Sequence, residues 1–282
     1  MKTVADTLGV ARSSLTAPPP RPQRRGRPPA DETELLQAVR VVIRGLQSYG
    51  YRRVWAVLKR ERKAKGLAPF NHKRVYRVMK AHGLLLQPHS GLGPERRHDG
   101  RVATAEPNTR WCSDGFEVAC DDGARVRIAF VMDCCDRAVI SHVATTGGVT
   151  GEMIRDLMVE AVEGRFGRVS RTPQEIEWLS DNGSCYTALE TRSFARDLGL
   201  KPVTTPIESP QSNGMAEALV KTIKRDYARF AKKPTAAAVM AQLPSWFAHY
   251  NALHPHKALG YRSPHQFIAE RRSTQEMGLS DL

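Results

Sequence analysis

The stretch from Ser180 to Lys224 decides how this chain is organised. It begins S-D-N-G-S at residues 180–184 and ends S-P-Q-S-N-G-M-A-E-A-L-V-K-T-I-K at residues 209–224. Asp181 and Glu217 have 35 residues between them, and Asp114 lies upstream in W-C-S-D-G-F-E. Three such carboxylates, if they converge, suit hard divalent cations such as Mg²⁺. Two cations roughly 3.5–4 Å apart clamp the attacking and leaving oxygens of a phosphodiester displacement.

The residues around these acids have the pattern of an α/β domain. Two strands after Trp111 meet at an Asp-Gly turn at Asp122–Gly123, and a third lies around A-V-I-S-H-V-A-T. A helix at about 150–164 precedes a short strand that ends at Asp181. A helix near 188–198 and a strand near 201–205 come next. This order predicts a mixed sheet with helices packed on it.

The last helix of this domain is predicted from about Gln211 to Phe230. At 100° per residue, Leu219, Ile223 and Phe230 share an apolar face. The opposite face presents Glu217 beside two cations, Lys221 and Lys224. The alternative is an ordinary surface pair of Glu217 and Lys221.

The charge is concentrated in the first third of the chain. Residues 1–100 contain 21 Lys and Arg against 7 Asp and Glu, whereas residues 101–282 contain 22 of each. The whole net charge of +14 therefore belongs to the first hundred residues. Such a segment is typical of nucleic-acid binding, the alternative being a merely soluble cationic surface.

Residues 3–15 resemble part of a helix-turn-helix. Ala5 and Leu8 are expected to pack on one side, Gly9 to make the turn, and Val10 and Leu15 to start the second helix. The unit begins almost at the N-terminus, so the motif is partial. The alternative is a plain amphipathic helix.

Residues 16–30 are predicted to be an extended basic linker, because six prolines and four arginines cannot form a core. Its centre, R-G-R-P, resembles an AT-hook, in which Arg25 and Arg27 would enter a narrow A·T-rich minor groove. A solvated linker is the competing interpretation.

Residues 31–87 are predicted to form a small all-α DNA-binding domain of helix-turn-helix type. Asp31 and Asn71 are expected to cap helices. Apolar residues recur at helical spacing in two segments: Val54, Val57, Leu58, and Val75, Val78, Met79. The other faces are basic, and the cations expected to meet DNA are Arg52, Arg53, Lys73, Arg74 and Arg77.

The remaining boundaries follow from composition. Residues 88–108 are predicted to be a linker, residues 109–232 the α/β core, and residues 233–282 a C-terminal helix and tail.

No apolar run is long enough for a membrane span. The five cysteines lack zinc-type spacing and are expected to be free thiols in a reducing cytoplasm. His254 and His256 flank a proline and are expected in a packing or DNA-contact loop rather than in a metal site.

Three further stretches carry a family resemblance: Y-G-Y-R-R-V-W, S-P-Q-S-N-G-M-A-E-A-L-V-K-T-I-K-R-D-Y, and H-Y-N-A-L-H-P-H-K-A-L-G-Y-R-S-P. Together with the three acids, they resemble OrfB, the second-frame transposase product of the two-frame insertion-sequence family. The acids themselves resemble the DDE signature of retroviral integrases and insertion-sequence transposases. The resemblance covers roughly residues 31–270.

The resemblance implies an RNase H-like core, Mg²⁺ with Mn²⁺ as a substitute, and cleavage and joining of DNA at the element's ends. Asp114, Asp181 and Glu217 would be the catalytic metal ligands. Lys224 matches a position that contacts terminal DNA, and Lys221 is a weaker candidate. Implied partners are duplex DNA of the terminal repeats and target, other copies of the chain in a homo-oligomer, and a first-frame (OrfA) partner or fusion. A bacterial, nucleoid-associated location is implied.

Two features depart from these relatives. The chain has no His-His-Cys-Cys zinc module of the retroviral kind and no sustained heptads, which the first-frame part supplies in the family. Two rival functions stay open: a DNA-binding regulator without catalysis, and a nuclease of the same fold without joining activity.

Overall fold

The computed structural model describes residues 2–11, 31–87, 102–205 and 213–279. The chain divides into two compact units, residues 1–34 and 35–282. In the first unit, helix α1 (Lys2–Leu8) precedes Gly9, whose φ of +60° makes the predicted turn. Ala5 is buried as predicted, but the expected packing of Leu8 is wrong: this last helical residue is 61% exposed.

The expected second helix does not begin at Val10. This residue is not helical and is largely exposed, because the chain leaves the helix at the Gly9 turn. Leu15 and the basic linker with Arg25 and Arg27 lie outside the described residues.

Helices α2 (Thr33–Gly45), α3 (Tyr51–Ala64) and α4 (His72–Ala81) form the helical segment. The Asp31 carboxylate accepts a hydrogen bond from the Thr33 N–H at 2.9 Å, and Asn71 accepts one from the Lys73 N–H at 2.8 Å. Both predicted caps are therefore confirmed. The predicted apolar positions form the core, with these residues buried: Val54, Leu58, Val75, Val78, Met79. Val57 is half-buried against them.

Within the described residues, five strands form one sheet in the order β3-β2-β1-β4-β5. The strands are β1 (Arg110–Ala119), β2 (Arg125–Asp133), β3 (Val139–Thr145), β4 (Ile176–Ser180) and β5 (Leu200–Thr204). Only β2 runs antiparallel to the others, since it pairs antiparallel with β1 and β3 while β1–β4 and β4–β5 are parallel. This mixed, helix-covered sheet is the RNase H-like fold that was predicted.

Helices cover both faces of the sheet. On one face, α5 (Gly151–Phe166) and α7 (Leu189–Asp197) pack against Trp111, while a short helix α6 (Ser184–Thr187) follows β4. On the other, α8 (Gly214–Ile223) and α9 (Ala236–Leu253) pack against Cys112. Adjacent residues of β1 face opposite ways because side chains alternate along a strand.

Helix α8 continues into a π-helical segment, Lys224–Ala228. Leu219 and Ile223 are buried on the predicted apolar face, but Phe230 is 46% exposed, so its expected burial is wrong. The prediction assumed 100° per residue. The wider i→i+5 turn advances the chain by a smaller angle and moves Phe230 off that face.

The C-terminal part contains a helix that the sequence analysis missed. A 3₁₀ turn, Lys257–Leu259, follows α9, and helix α10 (Pro264–Leu279) comes next. Ser263 Oγ accepts from the Gln266 N–H, and Gln266 Oε1 accepts from the Ser263 N–H. This S-P-H-Q capping box, with proline at the first helical position, was the signal available in the sequence.

Three further predictions concern the cysteines, membrane-spanning helices and His254. All five cysteines are free thiols. Among the described residues, none of the helices has both the length and the apolar character needed to cross a membrane. His254 is 2% exposed and its Nδ1 lies 3.0 Å from the Tyr49 hydroxyl, so it packs in the interior.

Candidate active site

Strand register brings the first two candidate acids together. In the parallel pair of β1 and β4, Trp111 lies beside Trp178 and Cys112 beside Leu179. The pairing ends there, and its register, continued by two residues, would set Asp114 opposite Asp181. Neighbouring strands are about 4.8 Å apart. We therefore expect the two carboxylates at one edge of the sheet, on the same face.

Helix α8 brings the third acid to this edge. Asn213, at the start of the helix, is buried, and its Nδ2 donates to the Ser113 carbonyl at 3.1 Å. Met215 and Ala216 pack on the sheet face that carries Cys112. Glu217 is in the first turn of α8, where a carboxylate is also favoured by the helix dipole. One hydrogen bond thus anchors the Glu217 helix next to Asp114.

The charges of the three acids influence one another. Burial raises the pKa of Asp114 to about 6; the Gly115 N–H opposes this rise, and the charges of Asp181 and Glu217 add to it. A carboxyl whose pKa is raised by burial and by two like charges is typical of a functional site. Asp181 and Glu217 are therefore near enough for their charges to act on Asp114.

The other two acids have simple local contacts. Asp181 is exposed, and its Oδ1 accepts from the Gly183 N–H at 3.0 Å. Glu217 is half-buried, and its Oε2 lies 3.4 Å from Lys221 Nζ. The predicted i,i+4 neighbours are thus an ion pair, with Lys221 acting as the local counter-charge of Glu217.

The donor set suits a hard divalent cation, because all three side chains offer carboxylate oxygens. Among the described residues, no group of three or more His, Cys, Asp or Glu side chains is close enough, as it stands, to hold a metal ion. The Glu217 carboxylate is engaged by Lys221.

Two other acids, Asp122 after β1 and Asp133 at the end of β2, have structural contacts instead. Asp133 ends β2, is fully buried, and accepts hydrogen bonds from the N–H groups of Asn108, Cys135 and Asp136. It organises the loop between β2 and β3. Asp122 is exposed in the β1–β2 turn, where its Oδ1 accepts from the Ala124 N–H at 3.0 Å.

The basic side chains predicted to meet DNA differ in their surroundings. Lys73 and Arg77 are exposed on α4, and Arg74 is half-buried with its guanidinium 5.7 Å from the centre of the Phe70 ring. Arg52 is exposed, and its Nε donates to the Tyr51 hydroxyl at 2.9 Å. Lys224 is exposed at the start of the π-helical segment.

Arg53 is different, because it is bound inside the protein. Its Nη1 lies 3.0 Å from Oδ2 of Asp226, whose side chain is 1% exposed. Asp226 also binds Arg225, at 2.7 Å from Nη2. Arg53 thus joins α3 to the π-helical segment, a structural role that sequence reasoning did not find.

Arg52 and Arg53 are therefore expected to respond differently to truncation. Arg52→Ala should weaken DNA binding and reduce the salt slope, log Kd against log[salt], by about 0.9 per lost phosphate contact. Arg53→Ala should lower the free energy of unfolding by roughly 1–3 kcal/mol, because it removes one partner of buried Asp226. Fluorescence anisotropy and urea unfolding measure the two effects. Equal stability of both variants would contradict this division.

Comparison with known proteins agrees with this architecture. The Integrase core domain family matches residues 104–210, a second Integrase core domain family matches residues 198–264, and the HTH-like domain family matches residues 30–90. Transposase InsD for insertion element IS2A/D/F/H/I/K, from Escherichia coli, is 50% identical over 252 residues, which are 89% of this chain and 82% of InsD. The chain belongs to this family of insertion-element transposases. InsD of IS2-9 from Escherichia coli (strain K12) is likewise 50% identical, over 89% of this chain and 81% of that protein.

Solved structures give weaker likenesses. The cryoEM structure of the simian T-cell lymphotropic virus intasome in complex with PP2A regulatory subunit B56 gamma has a TM-score of 0.48 and 15% identity, over 82% of this transposase and 73% of that chain. The catalytic domain of Mos1 transposase, solved with Raltegravir and Mg, has a TM-score of 0.43 and 15% identity, over 50% of this transposase and 71% of that chain.

Proposed function

We propose that this transposase cleaves and joins DNA at the ends of its insertion element, using divalent metal held by Asp114, Asp181 and Glu217. The observation that supports the proposal is the parallel register of β1 and β4, which runs towards Asp114 and Asp181, together with the hydrogen bond from Asn213 at the start of the Glu217 helix to Ser113 of β1. The proposed partners are duplex DNA of the terminal repeats and of the target, and further copies of the chain.

Each residue has a role in this proposal. Asp114 and Asp181 would hold cations from adjacent strands, and Glu217 would hold one from the helix after exchanging its contact with Lys221. Bound Mg²⁺ or Mn²⁺ would supply Lewis-acid stabilisation of charge on the phosphate and would favour deprotonation of the attacking hydroxyl or water. Lys221, once released, and Lys224, at the start of the π-helical segment that continues α8, would bind DNA phosphates.

The decisive experiment offers the full chain a duplex that carries the flanking inverted repeat, in Mg²⁺ and in Mn²⁺. We expect metal-dependent nicking, and transfer of a pre-cleaved end into a second duplex. End binding without nicking in either metal would indicate the regulator. Nicking without transfer of a pre-cleaved end would indicate a nuclease. Both outcomes would contradict the proposal.

The raised pKa of Asp114 predicts that this carboxylate lowers the stability of the metal-free protein at neutral pH. Its folded pKa, about 6 against an ordinary 3.8, means that metal-free wild type loses stability as pH rises from about 4 to about 6. Asp114→Asn should remove this loss and be more stable at pH 7.5 by about 1–2 kcal/mol, a value reduced for partial exposure. Urea unfolding in EDTA at pH 4 and pH 7.5 measures it; the difference should vanish at pH 4.

Adding Mg²⁺ should reverse the order. A ligand that binds only the folded state stabilises it, so wild type should gain more from Mg²⁺ than Asp114→Asn does. Equal gains would argue against Asp114 as a ligand.

A further inference from the structure

A cleft of about 940 Å³, lined by residues of α3, α8 and the loop after α9, lies entirely within the second unit. One wall is the start of α3, including Tyr51 and Arg52. The opposite wall is α8 and its continuation, from Ala218 to Phe230, and the loop that contains His256 and Tyr261 completes it. We name it the arginine cleft.

The arginine cleft is strongly cationic. Among the described residues, no Asp or Glu lines it, and six cations do: Arg52, Arg53, Arg137, Arg225, Arg229 and Lys257. Arg53 and Arg225 are bound to buried Asp226. The structure gives the other four no ion-pair partner among the residues it describes. An anionic ligand is therefore favoured.

Two buried polar atoms of the cleft residues lack partners. Arg137 Nε and His256 Nε2 are both buried, and neither has a hydrogen-bond partner within the described part of the chain. Arg137 and Tyr261 also have left-handed backbones, with φ of +63° and +65°. Strain of this kind in non-glycine residues clusters at functional sites. Because both atoms have almost no accessible surface, the preference of the cleft for an anion comes from its exposed guanidinium groups, Arg52 and Arg229.

The walls offer aromatic as well as charged surface. Tyr51, Tyr261 and Phe230 line the cleft. Phe230, which the helical periodicity predicted to be buried, is 46% exposed. Bases of single-stranded DNA stack on aromatic rings while cations bind the backbone. A cleft of about 940 Å³ accommodates nucleotides of this kind, but it is too small for a duplex. A lone inorganic anion would leave the aromatic walls unused.

The cleft shares helix α8 with the proposed metal site. Ala218 and Thr222, which flank Glu217 and Lys221 on α8, line it. We propose that the arginine cleft binds one or two unpaired nucleotides of single-stranded DNA next to the phosphodiester that reacts. The phosphate would lie between Arg137 and Arg229, and the bases against Tyr51, Tyr261 and Phe230. The location of this strand rests on the proposed function, whereas the binding itself does not.

The test measures binding without cleavage. A fluorescein-labelled thymidine hexanucleotide is titrated with the full chain in EDTA and followed by anisotropy. Arg229→Glu, at an exposed position, and Arg137→Asn, which keeps a residue tolerant of left-handed φ, should each weaken binding about tenfold. Arg168→Glu, exposed after α5 on the opposite side of the sheet, is the charge-matched control and should change affinity less than about twofold.

Competition identifies the ligand class. An abasic hexamer and hexaglutamate should compete at least about fivefold more weakly than the hexanucleotide, because they lack bases to stack. Equal competition by hexaglutamate would favour an acidic peptide and overturn the proposal, as would equal affinity of the cleft variants and Arg168→Glu. Nicking of the repeat duplex is measured alongside. Lost hexanucleotide binding with intact wild-type nicking refutes only the cleft, and absent nicking with intact binding refutes only the transposase chemistry.

Discussion

Asp181→Asn is expected to lower metal-dependent nicking of the element-end duplex by on the order of 10³-fold, with folding and end binding unchanged. Asp181 is exposed and has one local contact, from the Gly183 N–H to its Oδ1 at 3.0 Å. The asparagine carbonyl can accept the same hydrogen bond. The substitution therefore removes a negative charge from the proposed metal site and little else. Single-turnover nicking rates in Mg²⁺ measure the loss.

A matched control is available in the same domain. Asp122 is also exposed, and its Oδ1 also accepts a hydrogen bond from a backbone N–H two residues later. Asp122→Asn should therefore leave the nicking rate unchanged, while Glu217→Gln should match Asp181→Asn. If Asp181→Asn nicks like wild type, or if Asp122→Asn is equally impaired, the three acids are not the metal site.

Much of the fold was predictable because its signals are local. Alternating apolar residues and an Asp-Gly turn predicted β1 and β2, and side-chain caps predicted the start of α4. The failures were also local, and each has a physical cause. Phe230 left the apolar face because a π-helical segment interrupts the 3.6-residue period, and α10 was missed because its capping box was not recognised.

The sequence predicted which residues form the candidate site, but not how they are arranged in space. The spacing of Asp181 and Glu217 and the context of Asp114 singled out the acids, and resemblance suggested their roles. No local pattern fixes the register of two parallel strands whose paired residues are 67 positions apart, such as Trp111 and Trp178. That register depends on packing across the sheet, as does the hydrogen bond from Asn213 to Ser113.

The same limit applies to charged residues. In K-R-D-Y, at residues 224–227, the sequence pattern predicted a role only for Lys224, since such a segment ordinarily covers an exposed helix face. The structure instead buries Asp226 between two arginines, one of them from a distant helix. Arg53 was expected to meet DNA for a similar reason. From the sequence alone, an arginine that contacts DNA from a basic helix cannot be distinguished from one that forms an ion pair with a buried carboxylate of the same protein.

Asp226→Ala is expected to lower the free energy of unfolding by about 1–3 kcal/mol, because it removes the buried carboxylate that two partly exposed arginines share. Asp226 binds Arg53 and Arg225 and lies 3.9 Å from His254 Nδ1. Burial, followed by nearby His256 and Arg53, lowers the pKa of His254 far below its ordinary value. His254 is therefore neutral and adds no positive charge for Asp226 to balance. Urea unfolding followed by tryptophan fluorescence measures the loss.

Two further variants make this result interpretable. Glu270→Ala breaks the exposed Arg262–Glu270 pair and should cost less than about 1 kcal/mol, because exposed pairs contribute little. Asp226→Asn keeps an acceptor in place, so it should lie between the other two and remain folded if Asp226→Ala does not. Arg60 also donates to the carbonyls of Ala252 and Leu253, at 3.0 and 2.7 Å, a contact between α3 and the end of α9 that none of the three substitutions removes. An equal cost for Asp226→Ala and Glu270→Ala would mean that this buried charge cluster does not hold α3 against the catalytic domain.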